Sequence, residues 1–177
     1  MRLRFIILFI VMLLTAGSCQ NSYSVFSTRF PVNFIFDPTL PPYNAVTSFG
    51  VFLSVRSSGN ELVVTDASGK VSRWPMSERE SRSFLFGCGG LIVGTPSLDN
   101  DGCSIYAYDL ACPVCDKASA RLKLTTDGRA RCPDCGTEYN LNNNGFVISS
   151  PQEQNRPLLR YPVSQTPFSV TVSNLNL

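Results

Sequence analysis

The residues best suited to do chemistry are four cysteines in two matched pairs. Cys112-Pro113-Val114-Cys115 and Cys132-Pro133-Asp134-Cys135-Gly136 are separated by sixteen residues. A Cys-x-x-Cys segment makes a short knuckle that aims two sulfurs at one point, and two knuckles close a four-sulfur site. Zinc, rubredoxin-type iron and an all-cysteine [2Fe–2S] cluster each accept four thiolates. The spacing therefore points to one four-cysteine metal centre and leaves the metal open. A third reading needs no metal: in an oxidising compartment the four thiols could pair as disulfides. It leaves the regularity of the knuckles without a purpose.

The chain contains no histidine. Cys-His and Ser-His catalytic pairs and histidine-bound metals are thereby excluded. Other chemistry-bearing patterns are thinner. Cys112-Pro113-Val114-Cys115 lacks the strand–helix setting of a thiol–disulfide exchange site. Asp99 and Asp101 resemble the opening of a calcium loop, but no glutamate follows at the spacing that loop needs, so a solvated turn is expected. The glycines of Phe84-Leu85-Phe86-Gly87-Cys88-Gly89-Gly90-Leu91 are followed by neither Lys-Ser nor Lys-Thr, which speaks against a phosphate loop and for bulges and close backbone approach in a buried β segment. Tyr106, Tyr108 and Tyr139 read as core or rim residues. The protein is not expected to be an enzyme.

The elements that must position the knuckles read as strands. Val, Ile, Phe, Tyr and Thr recur between short turn signals, and no long segment keeps a helical period, so the fold class is all-β. Strands are expected at 32–36, 49–55, 61–65, 71–74 and 104–110, the last delivering the first knuckle. Arg121–Thr125 and Ala130–Cys132 flank the turn Thr126-Asp127-Gly128-Arg129 and feed the second knuckle. Glu138–Leu141 and Phe146–Ile148 flank an Asn-Asn-Asn-Gly turn, and Leu158–Val163 and Phe168–Val172 close the chain. The one short helix is expected at 76–83, with Ser77 and Glu80 as a capping box.

The first residues read as a targeting segment. Arg2 and Arg4 precede the unbroken apolar run Phe5–Leu14, which is too short to span a bilayer and is followed by small residues up to Cys19. Ala16-Gly17-Ser18-Cys19 resembles a bacterial lipobox. That resemblance implies a signal peptide at 1–18 and lipidation of Cys19; the polar residues that follow read as a tether at 19–28, and the remaining length as one domain at 29–177 carrying its metal-binding tip at about 110–146. Gln20 after Cys19 implies the outer membrane of a bacterial cell envelope. Of 15 Lys and Arg against 13 Asp and Glu, Arg2 and Arg4 fall in the signal, leaving 13 against 13. With a formally neutral mature chain and no basic cluster interleaved with aromatics, nucleic acid is not an expected partner. The expected partners are the membrane, through the lipid, and an envelope protein. Cys88 and Cys103 lie outside the knuckles and read either as buried apolar residues or as a disulfide.

The segment from Cys112 to Val172 resembles a Rieske iron–sulfur domain. Cys132-Pro133-Asp134-Cys135-Gly136-Thr137-Glu138-Tyr139 follows the family's second ligand box, Asn144-Gly145 its glycine turn, and Pro151–Val163 its proline loop and closing Leu-x-x-Tyr-x-Val strand. Both histidine positions hold cysteine and the first box is one residue longer. The resemblance thus implies Rieske-like antiparallel sheets with a tip like that of a rubredoxin or zinc ribbon, and not the two-histidine cluster. Zinc, in a structural role, is placed ahead of iron because Leu3 separates Arg2 from Arg4. A signal without twin arginines implies export of an unfolded chain that carries no preassembled cluster. The rival is an electron-transfer protein with an all-cysteine [2Fe–2S] cluster or mononuclear iron.

Overall fold

The alternating pattern becomes an all-β fold in a computed structural model, which describes residues 26–97 and 105–175. Strands β1 (Val32–Phe36), β5 (Leu85–Phe86), β13 (Val163–Thr166) and β14 (Ser169–Ser173) form one sheet in the order β13-β14-β1-β5. Strands β2 (Val51–Ser58), β3 (Glu61–Asp66), β4 (Val71–Pro75), β6 (Leu91–Thr95), β7 (Tyr106–Asp109) and β12 (Arg160–Tyr161) form a six-stranded sheet in the order β12-β7-β6-β2-β3-β4. Strands β8 (Lys123–Leu124), β9 (Arg129–Arg131), β10 (Glu138–Asn140) and β11 (Phe146–Ser149) form the third sheet in the order β11-β10-β9-β8. The ladders between these strands are antiparallel.

The six-stranded sheet lies between two apolar layers, and the pleat explains how. Successive side chains on a strand point to opposite faces. On β6, Leu91 and Val93 join the core shared with the first sheet, while Ile92 joins the core shared with the third. On β7, Ala107 goes to the first core and Tyr106 and Tyr108 go to the second. Both strands are therefore buried along their whole length, as a run such as Leu91-Ile92-Val93 requires. The second core ends at the knuckles: Cys112 and Cys132 belong to it, together with Leu110, Leu122, Ala130, Tyr139 and Leu158.

Most expected elements are present. The β2–β3 hairpin turns at Gly59-Asn60, and α1 (Glu78–Ser83) carries a complete capping box in which Ser77 and Glu80 bond reciprocally. Three expectations are revised and one element is additional. The segment 158–163 is two strands, because β12 pairs with β7 in the central sheet and, after Pro162, β13 pairs with β14 in the first. A 3₁₀ turn at Tyr43–Thr47 has no counterpart in the sequence pattern. The Gly87–Gly90 segment is a turn that carries the chain between two sheets rather than a bulge within a strand, although close backbone approach holds: a Cβ on Gly89 would sit 2.7 Å from the Ala111 nitrogen. Ser27, within the expected tether at 19–28, is bonded to the domain: its N–H donates to the Arg160 carbonyl at 2.7 Å and its carbonyl accepts from Asn174 Nδ2 at 2.9 Å. The Asp99 and Asp101 turn lies outside the described residues.

Candidate metal centre

Each knuckle is built from the same backbone device. In the first, the Cys112 N–H donates to the Ala120 carbonyl at 2.8 Å and the Asp116 N–H donates back to the Cys112 carbonyl at 3.0 Å. In the second, the Cys132 N–H donates to the Thr137 carbonyl at 2.9 Å and the Gly136 N–H donates to the Cys132 carbonyl at 3.0 Å. The residue after each second cysteine takes a left-handed conformation, with φ of 53° at Asp116 and 75° at Gly136. Glycine occupies that region freely, and aspartate tolerates it better than most residues do. Asp116 is also held from outside the knuckle by an ion pair with Arg29 at 2.8 Å.

The two knuckles converge. The sulfurs of Cys112, Cys115, Cys132 and Cys135 all lie within 4.8 Å of one another. The shortest separations cross between knuckles: 3.6 Å for Cys112–Cys135 and 3.7 Å for Cys115–Cys132. These are non-bonded distances, and all four cysteines are unbridged in the structure. The four cysteines together could hold a metal ion, as their spacing predicts. Cys112 and Cys132 are fully buried, whereas Cys115 and Cys135 are partly exposed, so the second ligand of each knuckle faces outward.

Two side chains reach the sulfurs from behind. Tyr139 is fully buried, with its hydroxyl 3.3 Å from Cys112 Sγ. Thr137 Oγ1 lies 3.2 Å from Cys135 Sγ and 3.3 Å from the Ser150 hydroxyl. Once a sulfur is a thiolate, only the hydroxyl has a proton to give, so both contacts become charge-assisted hydrogen bonds to the ligand. Thiol ionisation follows these surroundings. Burial and the neighbouring cysteines push Cys115 far up, and burial raises Cys132. At Cys135 burial also acts upward, but the hydroxyl and backbone bonds of Thr137 outweigh it and bring the thiol down to about 7. Burial and the Cys112 contact raise the Tyr139 phenol, which stays protonated as a donor. Tyr139 is therefore core, as expected, and also a partner of a ligand. The sequence offered one signal for this: it sits four residues after Cys135 on a strand fed by the knuckle.

Asp109 escaped the sequence reading altogether. It is fully buried at the end of β7, three residues before Cys112. Its carboxylate accepts from the backbone N–H groups of Cys88 at 2.7 Å, Gly89 at 3.0 Å and Ala111 at 2.7 Å, and from the Tyr161 hydroxyl at 2.7 Å. One side chain thus ties the glycine turn, the root of the first knuckle and β12 together. Backbone N–H groups of Cys88, Gly89 and Ala111 thus cradle a carboxylate of the chain itself. A Cβ on Gly87 would sit 2.5 Å from Asp109 Oδ2, so glycine is needed there for contact. Cys88 carries a free, half-buried thiol, raised by burial and by the Asp109 charge. Cys103, its candidate disulfide partner, and Cys19, the candidate lipidation site, lie outside the described residues.

Comparison with models of protein families finds none that matches the chain, and comparison with curated proteins finds no match.

Proposed function

We propose that this chain is an exported, lipid-anchored protein of a bacterial cell envelope whose four cysteines hold a single zinc ion in a structural role. The observation that carries the single ion is the sulfur geometry, and zinc stands ahead of iron because the signal without twin arginines speaks for export without a preassembled centre. Zinc–thiolate bonds of about 2.3 Å arranged tetrahedrally set sulfurs about 3.8 Å apart, and the two knuckles meet at 3.6 Å and 3.7 Å. A two-iron cluster divides its four thiolates between separate irons and needs the two pairs further apart. All four sulfurs within 4.8 Å favour one ion. Four thiolates leave a tetrahedral zinc no open position, so its contribution is to the folding of the tip and not to a reaction.

This chain's residues divide that work. Cys112 and Cys132 root the ion in the second core, Cys115 and Cys135 close it from outside, and Tyr139 and Thr137 donate to sulfur. The three antiparallel sheets with a four-cysteine tip support the Rieske resemblance at the level of architecture, with Cys115 and Cys135 standing in the histidine positions. A second reading, an electron carrier with a single iron or a [2Fe–2S] cluster, is favoured by one observation: hydrogen bonds to ligand sulfur and an exposed ligand edge are levers on a metal's potential.

The deciding experiment is metal analysis and absorption of protein purified from its native export route under anaerobic handling. Zinc predicts colourless protein with one zinc per chain and no visible redox transition. Coloured protein that bleaches reversibly on reduction, with stoichiometric iron, replaces zinc by the electron carrier. The anchor has its own test: Cys19→Ala should release the protein from membranes, and retention with an unmodified N-terminus refutes lipidation.

A further inference from the structure

On the far side of the central sheet from the cysteines, a groove of about 480 Å³ opens beside β1, β4 and α1. Phe36, Tyr43, Trp74 and Phe84 supply aromatic faces and edges, and Asp37 and Glu80 supply carboxylates. Among the described residues that line it, no lysine or arginine balances those two charges. Phe36 and Tyr43 have centroids 4.7 Å apart, and Tyr43 and Trp74 lie 6.4 Å apart with planes within 23°. Both carboxylates are held by local hydrogen bonds. Asp37 Oδ1 accepts from the N–H and hydroxyl of Thr39, and Glu80 Oε2 accepts from the N–H and hydroxyl of Ser77. These bonds hold both groups below the ordinary carboxylate range, so both are anionic at neutral pH. The Tyr43 ring forms one wall of the groove. The rim is apolar and open, with Leu40 57% and Phe168 73% exposed.

We infer that this groove binds a small organic cation, an alkylated ammonium group, between the aromatic faces and the two carboxylates. The chemistry is specific. Aromatic faces attract a cation within about 6 Å of the ring centroid, and they favour one whose charge is spread over methyl groups and cheap to desolvate. The carboxylates add a long-range attraction that a neutral ligand does not feel. The groove's volume suits a small molecule and not a folded partner. The same group could arrive free or as the headgroup of a zwitterionic lipid. The site shares no residue with the metal centre, so it stands or fails independently of it.

Trp74 is the only tryptophan in the chain, so its fluorescence reports on this groove alone. The probes are choline and its uncharged carbon isostere, dimethylbutanol, titrated into the full exported chain, with calorimetry in parallel. Choline is expected to change Trp74 emission saturably and to bind at least tenfold more tightly than the isostere. Glu80→Gln, which keeps the helix cap, and Asp37→Asn, which keeps its turn, are each expected to weaken choline roughly fivefold and leave the isostere unchanged. Circular dichroism matching the parent shows that these variants fold. Vesicles of phosphatidylcholine then separate the sources. Competition with free choline marks a lipid headgroup, and its absence marks a free cation. Equal affinity for choline and the isostere, or no saturable response to choline, overturns the inference.

Discussion

Gly136→Ala isolates the backbone device of the second knuckle from its ligands. The residue sits at φ 75° and its N–H closes the loop onto the Cys132 carbonyl at 3.0 Å. Sterically the position is nearly open: an added Cβ would meet only the Pro151 ring, at 3.3 Å and 3.9 Å, so a slight shift of that exposed proline relieves it. The cost is therefore conformational. Left-handed backbone costs a residue with a Cβ about 1–2 kcal/mol, which in a chain of this size lowers the melting temperature of the metal-loaded protein by roughly 2–8 °C. If removal of the metal lets the knuckle relax out of this conformation, the same strain opposes metal binding. Competition with a chelator should then show an affinity weaker by roughly 5- to 30-fold.

The symmetry-related position gives the control. Asp116 already bears the left-handed strain at φ 53°. Asp116→Gly removes it but also removes the Arg29 ion pair, whose partners are about half exposed and which contributes about 0–1 kcal/mol. The unfolded chain also gains freedom. These terms offset, so Asp116→Gly should shift the melting temperature by no more than about 2 °C. Thermal unfolding of both variants, with and without metal, checks the pair. An unaltered melting temperature and metal affinity in Gly136→Ala, or equal losses at the two positions, would refute the left-handed account of the knuckles.

Three further outcomes follow from the same structure. Cys132→Ser removes a fully buried ligand and should abolish stoichiometric metal and open Lys117–Arg131 to protease; resistance equal to the parent's would mean that the centre does not order the tip. Asp109→Asn replaces an acceptor of four hydrogen bonds by a group with one acceptor oxygen and an NH₂ aimed at donors. It should cost at least about 3 kcal/mol in urea unfolding, and a loss below about 1 kcal/mol would show that the cradle is not needed. Stability should also fall at both ends of the pH scale. Turn and cap hydrogen bonds lower Asp37, Asp66, Glu80 and Asp127 from ordinary values of 3.8 and 4.5. The folded state binds fewer protons there, so their contribution is present above those values and is lost as pH falls through the lowered ones. Burial raises Tyr43, Tyr139 and Tyr161 above 10.0. Their contribution is present below pH 10 and declines as pH rises beyond it. A denaturation midpoint that stays flat from pH 5 to pH 3, or from pH 10 to pH 12, contradicts that assignment.

What the sequence disclosed and what it withheld separate along a physical line. Local rules were legible. The four ligands follow from Cys-x-x-Cys spacing, the β2–β3 and β8–β9 hairpins from their turn residues, and the capping box from Ser77 and Glu80. Each of these is decided by residues within a few positions of one another. What stayed hidden is decided by long-range contact. Asp109 reads as a polar residue at the end of an apolar strand. Only the fold brings it to Cys88 and Gly89, twenty-one and twenty residues away, and to Tyr161, fifty-two residues away. The division of 158–163 into strands of two sheets is equally non-local, because it depends on which edge, β7 or β14, each half meets. The glycines of 87–90 predict close backbone approach, and they allow it, but what approaches is not legible in the sequence. The turn supplies two backbone N–H groups, of Cys88 and Gly89, to the Asp109 carboxylate, and Gly87 leaves room for that carboxylate to approach. The root of the first knuckle is set by that carboxylate, through the Ala111 N–H one residue before Cys112. The backbone leading into the four-cysteine group is thus fixed by a buried carboxylate that motif spacing does not reveal.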